Sequence, residues 1–313
     1  MTAETAMRNP QSGIRKPLPD RDIPGIEWVE NAALGSLNSM GLRARTRLLV
    51  TATTEKGLVR FLKWAKEAEE KFVVLGGGTN VIFADEILDR VILRLGGEFT
   101  EFVVEGDRIT AGAAVPLTRL VRKACDAGLT GLEGAWHVPG TLGGALAGNA
   151  GIPDWAIGDV VEWVQVFDRT AIRRRLAASE ITFGYRQSSL AGMVIARARL
   201  ALQRDPSRSI AKRLGAARIR RSQQPQDGHS AGCIFKNPPG DSAGRLIEAA
   251  GLKGLRLGGA VVSRDHANFI INERNATGRD VLDLIAEIRR RVLKRFHVTL
   301  ETEVLVLGCK GKS

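Results

Sequence analysis

The stretch Phe72-Val-Val-Leu-Gly-Gly-Gly-Thr-Asn80 decides the reading of the fold. Four apolar residues of strand character run straight into three glycines and two short polar residues. Upstream, Leu58, Phe61, Leu62 and Ala65 recur at helical spacing and predict a helix from about Thr54 to Lys71. Downstream, Val91-Ile-Leu93 predicts another strand. Helix, strand, glycine loop and strand in that order make a small α/β unit. Three glycines in a row let successive backbone amides converge without Cβ interference, the chemistry of a concave anion site, and Thr79 and Asn80 add side-chain donors. Neither G-x-G-x-x-G nor G-x-x-x-x-G-K-S/T is present, so this is neither a Rossmann fingerprint nor a P-loop. Taken alone, the loop reads equally well as a tight turn.

A second unit follows from about residue 99. It has short strands at Phe102–Val104 and Arg108–Ala111, a helix from about Leu117 to Ala127 closed by Gly128, and strands around Val160–Phe167 and Met193–Leu202. Within it lies Pro139-Gly-Thr-Leu-Gly-Gly144, then Gly148-Asn-Ala-Gly151. This glycine and alanine surface suits close backbone approach to something flat and large, such as a dinucleotide. Two such loops on successive units point to one extended cofactor held between them. Between residues 204 and 230 the chain turns basic: Arg204, Arg208, Lys212, Arg213, Arg218, Arg220 and Arg221 face only Asp205 and Asp227. That shift marks a domain boundary. The third unit contains a well-patterned helix, Asp280–Phe296, opened by a capping signature from Thr277 to Asp280. A strand, Thr302–Leu307, ends the chain. The boundaries that follow are a tail at 1–20, units at 21–98 and 99–203, a domain at 204–300, and a closing strand with a basic tail at 301–313.

Composition narrows the function classes. Of 313 residues 44% are hydrophobic and 26% charged, a globular composition. No apolar run approaches the ~20 residues of a membrane helix, and the first residues lack the apolar core of a secretory signal. Membrane insertion is therefore not expected, and the location expected is cytoplasmic. Cys125, Cys233 and Cys309 have neither a disulfide framework nor zinc-ligand spacing, and no metal is expected. The net charge of +12 raises nucleic acid as a partner. However, the excess is mostly arginine, 34 against 12 lysines, and aromatic residues are only 5%. Arginine holds small phosphates and carboxylates as well, and few rings are available for base stacking. Nucleic acid is accordingly the weaker alternative.

Three further groups carry chemistry. Ser230-Ala-Gly-Cys-Ile-Phe-Lys-Asn-Pro238 places a thiol near a lysine and an asparagine, in what reads as a loop. A lone cysteine is also, by default, a small apolar residue. Phe183-Gly-Tyr-Arg186 puts the only tyrosine beside an arginine. Leu300-Glu-Thr-Glu-Val304 puts two carboxylates on one side of a strand. By themselves these charges read as solvent-exposed.

Together these six stretches, with Ala250-Gly-Leu-Lys-Gly254, resemble the UDP-N-acetylenolpyruvoylglucosamine reductases over about residues 27–308 and in the same order. The resemblance implies α/β plus α+β: two FAD-binding α/β units of the vanillyl-alcohol-oxidase flavoprotein type and a C-terminal substrate-binding α+β domain. It also implies bound FAD, NADPH as hydride donor, and a UDP-sugar enolpyruvyl ether as substrate for a monomer. Gly76, Gly77, Gly78, Thr79, Asn80, Pro139, Gly140, Thr141, Gly143, Gly144, Gly148 and Asn149 fall on the cofactor side. Arg186, Cys233 and Glu303 fall on the catalytic positions, and Tyr185, Arg221, Lys236, Asn237 and His266 on the substrate side. The short spacing from Arg186 to Cys233 resembles the compact class that lacks an extra tyrosine-bearing loop. Two departures stand out: the segment 151–158 replaces a shorter family motif, and Leu305 occupies a position where the family often has arginine. A relative with lost or changed substrate activity is the alternative those departures leave.

Overall fold

The computed structural model describes residues 23–308 apart from 137, 223, 224 and 226–228, and leaves out the side chains of Ser207, Arg220 and Arg221. The tail expected at 1–20 and the basic tail after the last strand lie outside the described residues.

In the first unit, β1 (Ile26–Ala33), β2 (Arg45–Ala52), β3 (Phe72–Val74) and β5 (Ile87–Leu95) form one sheet in the order β1-β2-β5-β3. β2, β5 and β3 are parallel, and β1 is antiparallel to β2. Helix α1 (Glu55–Glu67) makes the crossover. Its N-terminus is capped by Thr54, whose hydroxyl accepts from the Gly57 amide, and its buried face carries Leu58, Phe61, Leu62 and Ala65 as the spacing predicts. The helix stops short of the expected Lys71 because Glu69 turns left-handed, at φ 53°.

The second unit departs from a βαβ pattern. Five strands, in the order Arg173–Ala177, Val161–Phe167, Val194–Ala201, β7 (Arg108–Gly112), β6 (Phe102–Glu105), are antiparallel throughout. Helices α2 (Leu117–Asp126) and α3 (Leu142–Ala147) pack into this unit's own core, to which Leu120, Val121 and Leu146 belong. Phe167, Val194 and Ala196 instead join the core of the first unit, so the two units share a packed interface.

After the basic helix α4 (Ser207–Ser222), the third domain builds an antiparallel sheet in the order His229–Cys233, Phe269–Asn272, Ala260–Val262, Arg256–Leu257. Helices α5 (Ala243–Ala249) and α6 (Gly278–Phe296) cover it. Thr277 and Asp280 form the expected capping box. Met40 and Leu42, from the β1–β2 connection, are fully buried in this third core, which staples the start of the chain to its last domain.

The closing segment differs from the single strand expected at Thr302–Leu307. Thr302 bridges Phe235 of the third domain, whereas Leu305–Leu307 runs parallel to β4 (Val81–Phe83) of the first unit. Residues 301–307 are therefore not a separate unit. They form a seam between two domains, and Glu303 sits where the chain crosses from one to the other.

Candidate active site

The two glycine loops meet. A Cβ on Gly76 would stand 2.7 Å from Thr141 Oγ1, and one on Gly77 would stand 2.8 Å from the Gly140 Cα. Thr79 donates its hydroxyl to the Pro139 carbonyl at 3.3 Å. Gly78, at φ 62°, lies so close to the backbone of Leu37 and Asn38 that no side chain fits there. Among the described residues, the amides of Gly76, Gly77, Gly78, Thr79 and Asn80 donate no hydrogen bond, and neither do those of Gly140 and Thr141. Seven unspent donors on two touching loops are a candidate anion cradle.

Other members of the glycine surface are spent on the fold. The Gly143 amide donates to the Ala113 carbonyl at 2.8 Å, and a Cβ there would meet Ala113 Cβ at 2.9 Å. Gly143 thus packs against Ala113, and its amide is not among the free donors. The amides of Gly144 and Gly148 are likewise turned to Thr141 Oγ1 and to the Gly144 carbonyl. Asn149 is buried, and both ends of its carboxamide are bonded: Nδ2 donates to the Gly184 carbonyl at 2.9 Å, and Oδ1 accepts from the Gly158 amide at 3.1 Å. It fastens the second glycine loop to the hairpin that carries Tyr185 and Arg186.

That hairpin pairs Phe183–Gly184 with Gln187–Ser188, and Arg186 occupies its turn at φ 57°. Its guanidinium lies over the Tyr185 ring and meets two polar groups. Nη1 donates to the Gly151 carbonyl at 2.9 Å, and Nε lies 2.7 Å from Glu303 Oε1. Glu303 is positioned from both sides of the seam. Its amide donates to the Ile234 carbonyl at 2.8 Å, and its carbonyl accepts from Asn80 Nδ2 at 3.2 Å. Burial pushes the Glu303 carboxyl above its ordinary range, against the opposing pull of Arg186 and Lys236. Glu301, the other carboxylate, stays exposed, within 3.7 Å of Lys236 Nζ.

The third domain contributes the remaining groups. Cys233 is partly exposed and ends the strand His229–Cys233, opposite Phe269, after a bulge at Ala231 and Gly232. The expected loop is thus a bulged strand end, which turns residues 234–236 toward the seam. Lys236 donates its amide to the Glu301 carbonyl. The Asn237 amide donates to Tyr185 Oη at 3.3 Å, linking the second unit to the third. The Asn237 side chain is engaged elsewhere, accepting from the Ala243 amide at the start of α5.

Asn268 is a residue that sequence reasoning missed. It is 3% exposed, and its side chain clamps Phe235 by accepting from its amide and donating to its carbonyl, at 2.9 and 2.8 Å. Its only signal is an asparagine inside an apolar stretch. His266, expected on the substrate side, supports this clamp: Nδ1 accepts from the Asn268 amide at 3.2 Å, and the ring meets Phe269 edge-on. The described contacts tie it to neither Arg186 nor Glu303. Arg221 lies in α4, and its side chain is outside the described residues. Two arginines of the basic segment are already used, Arg213 pairing with Glu133 and Asp205 and Arg218 lying over Trp136.

Comparison with known proteins finds matches along most of the chain. The family model for the UDP-N-acetylenolpyruvoylglucosamine reductase C-terminal domain matches residues 224–307, and that for an FAD binding domain matches residues 46–176. The UDP-N-acetylenolpyruvoylglucosamine reductase of Heliobacterium modesticaldum is 36% identical over 295 residues, covering 93% of this chain and 94% of that protein. That of Thermus thermophilus is 40% identical over 277 residues, covering 88% and 98%. The crystal structure of the Thermus caldophilus reductase superposes with a TM-score of 0.79 at 38% identity, over 90% of this chain and 99% of that one.

Proposed function

The chain belongs to the UDP-N-acetylenolpyruvoylglucosamine reductase family, and from that premise we propose that it reduces enolpyruvyl-UDP-N-acetylglucosamine to UDP-N-acetylmuramate for peptidoglycan precursor synthesis, with FAD as its cofactor and NADPH as its reductant. The observation that carries the reading onto this chain's own residues is the Arg186–Glu303 pair, set beside the cradle of unspent amides. The donor set fits the cofactor. Neutral backbone amides on glycine-rich loops suit a pyrophosphate, and Gly76–Asn80, Gly140 and Thr141 would hold it. When bound, FAD supplies the hydride, taken from NADPH and delivered to the vinyl carbon of the substrate.

The protein's own groups manage the charge and the proton. Hydride addition at the terminal vinyl carbon leaves negative charge on the carbon beside the carboxylate. Arg186, fixed by the Gly151 carbonyl, is placed to hold that carboxylate and stabilise the enolic charge. Glu303 would otherwise repel a carboxylate. Its raised pKa favours the protonated form, which donates a hydrogen bond to the developing charge. Cys233 then gives its thiol proton to the carbanionic carbon and recovers a proton from water. Tyr185, Lys236 and Asn237 line the substrate side, joined by the contact between Asn237 and Tyr185. No helix among the described residues is long and apolar enough to cross a membrane. Together with a UDP-sugar substrate and NADPH, this supports a cytoplasmic location.

The purified protein is expected to show flavin absorption that NADPH bleaches and the enolpyruvyl substrate restores under anaerobic conditions. A colourless protein, or a reduced flavin that the substrate leaves reduced, overturns the reading.

Glu303→Gln is expected to keep bound FAD and its reduction by NADPH while slowing reoxidation on the order of 10²-fold. The stability effect has a defined sign. A carboxyl with a folded pKa above its unfolded value of about 4.3 contributes fully below that value and loses its contribution as pH rises through the folded pKa. At pH 7 the glutamine variant should therefore melt no lower than wild type, with any advantage shrinking as pH falls toward about 4. Melting curves at several pH values check this.

A further inference from the structure

Resting on the role given to Arg186 above, we propose that Trp155 is a positioning residue for that arginine. The carbonyl that anchors Arg186 Nη1 belongs to Gly151, at the base of a two-strand hairpin in which Gly151–Ile152 pairs with Trp155–Ala156. The backbones are in close contact there, since a Cβ on Gly151 would stand 2.5 Å from the Trp155 carbonyl oxygen. Whatever fixes Trp155 fixes the Gly151 carbonyl.

The Trp155 indole is held twice. Nε1 donates to the Gly131 carbonyl at 2.7 Å, and the ring lies on the bare face of Gly134, where a Cβ would come within 2.4 Å of Cδ2. Its platform is braced in turn. The Gly131 amide donates to Glu133 Oε2 at 2.7 Å, and Glu133 Oε1 accepts from Thr130 Oγ1 and from Arg213 Nε of α4. Glu133 is only 6% exposed, and its hydrogen bonds, with Arg213 foremost, hold its carboxyl below the ordinary range in spite of burial. The anchor for the hairpin is therefore a buried, ionised and fully bonded carboxylate. A continuous series of contacts leads from Arg213 through Glu133, Gly131, Trp155 and Gly151 to Arg186.

The assignment is open to test from both ends of the indole contact. Trp155→Phe keeps an aromatic ring but removes the N–H donor together with part of the indole's bulk. Gly134→Ala leaves the tryptophan intact and pushes a methyl into its ring. Both variants are expected to retain FAD and to be reduced by NADPH at the wild-type rate. Each should slow reoxidation by the enolpyruvyl substrate about 10-fold, because loosening a reactive group by a fraction of its productive geometry carries penalties of that order. The decisive measurement is the same pair of substitutions on an Arg186→Ala background. A residue that acts through Arg186 has nothing left to position there, and the added loss should vanish. An equal loss on both backgrounds, or wild-type reoxidation by Trp155→Phe, overturns the proposal. If wild type itself is not reoxidised by that substrate, it is the proposed function that fails. The Arg186 Nε–H signal in NMR then tests positioning alone: faster solvent exchange in Trp155→Phe supports it, and unchanged exchange rejects it.

Discussion

Cys233→Ala is expected to bind FAD and accept hydride from NADPH at the normal rate, then lose about 10²–10⁴-fold in the half-reaction that consumes the enolpyruvyl substrate, as removal of a general acid does. Cys233→Ser should retain substantial activity, because a hydroxyl fills the same place with a proton to give. The competing account is that Cys233 merely fills apolar space, and it predicts the reverse order. Alanine would then be tolerated, whereas serine would bury a hydroxyl and lower stability. The setting of the residue favours the donor. Ala231, two positions earlier on the same strand, is 2% exposed, but Cys233 remains partly accessible beyond the bulge. Stopped-flow reoxidation of the two variants, each with a melting curve, separates the accounts. An alanine variant turning over at the wild-type rate ends the proton-donor assignment and leaves the FAD assignment standing.

Gly77→Val is expected to give folded protein that purifies without flavin. The Cβ alone would already lie 2.8 Å from the Gly140 Cα, and that neighbour is backbone, unable to swing aside. Gly140 cannot yield easily, because it sits at φ 112° with Thr79 Oγ1 2.9 Å from its own Cβ position. Relief requires the two loops to separate, breaking the Thr79–Pro139 hydrogen bond and dispersing the amides that converge between them. Gly215→Ala, in α4 with open space around the added carbon, is the matched control and should remain yellow. The ratio of flavin to protein absorbance, with circular dichroism for the fold, decides the matter. Full flavin loading in Gly77→Val would show that the contact between the loops is not part of the cradle.

How much of this was legible in advance varies with the reach of the interaction. Helix α1, the box at Thr277 and Asp280, and the glycine closing α2 were readable because each depends on residues within a turn or two of one another. Strands β1 and β2 were not read. Neither is flanked by a motif, and a strand's register is fixed by a partner elsewhere in the chain. The glycine surface was recognised as one feature, but its members proved unequal. Whether an amide faces a ligand or a neighbouring strand depends on what packs behind it, as Gly143 against Ala113 shows.

The sequence by itself determined the family and the order of the units, and it supplied the candidates for the chemistry: arginine at 186, a thiol at 233, carboxylate at 303. Those are local facts, carried by short patterns whose spacing survives in a single chain. Tertiary structure alone decided what these residues do to one another. Arg186 and Glu303 are 117 positions apart, and only the crossing of the last segment from Phe235 to β4 brings them to 2.7 Å. The rise in the Glu303 pKa, the Asn268 clamp and the Trp155–Gly131 hydrogen bond follow from burial and packing. Desolvation and hydrogen-bond geometry are properties of groups brought together by folding, and no spacing along the chain encodes them.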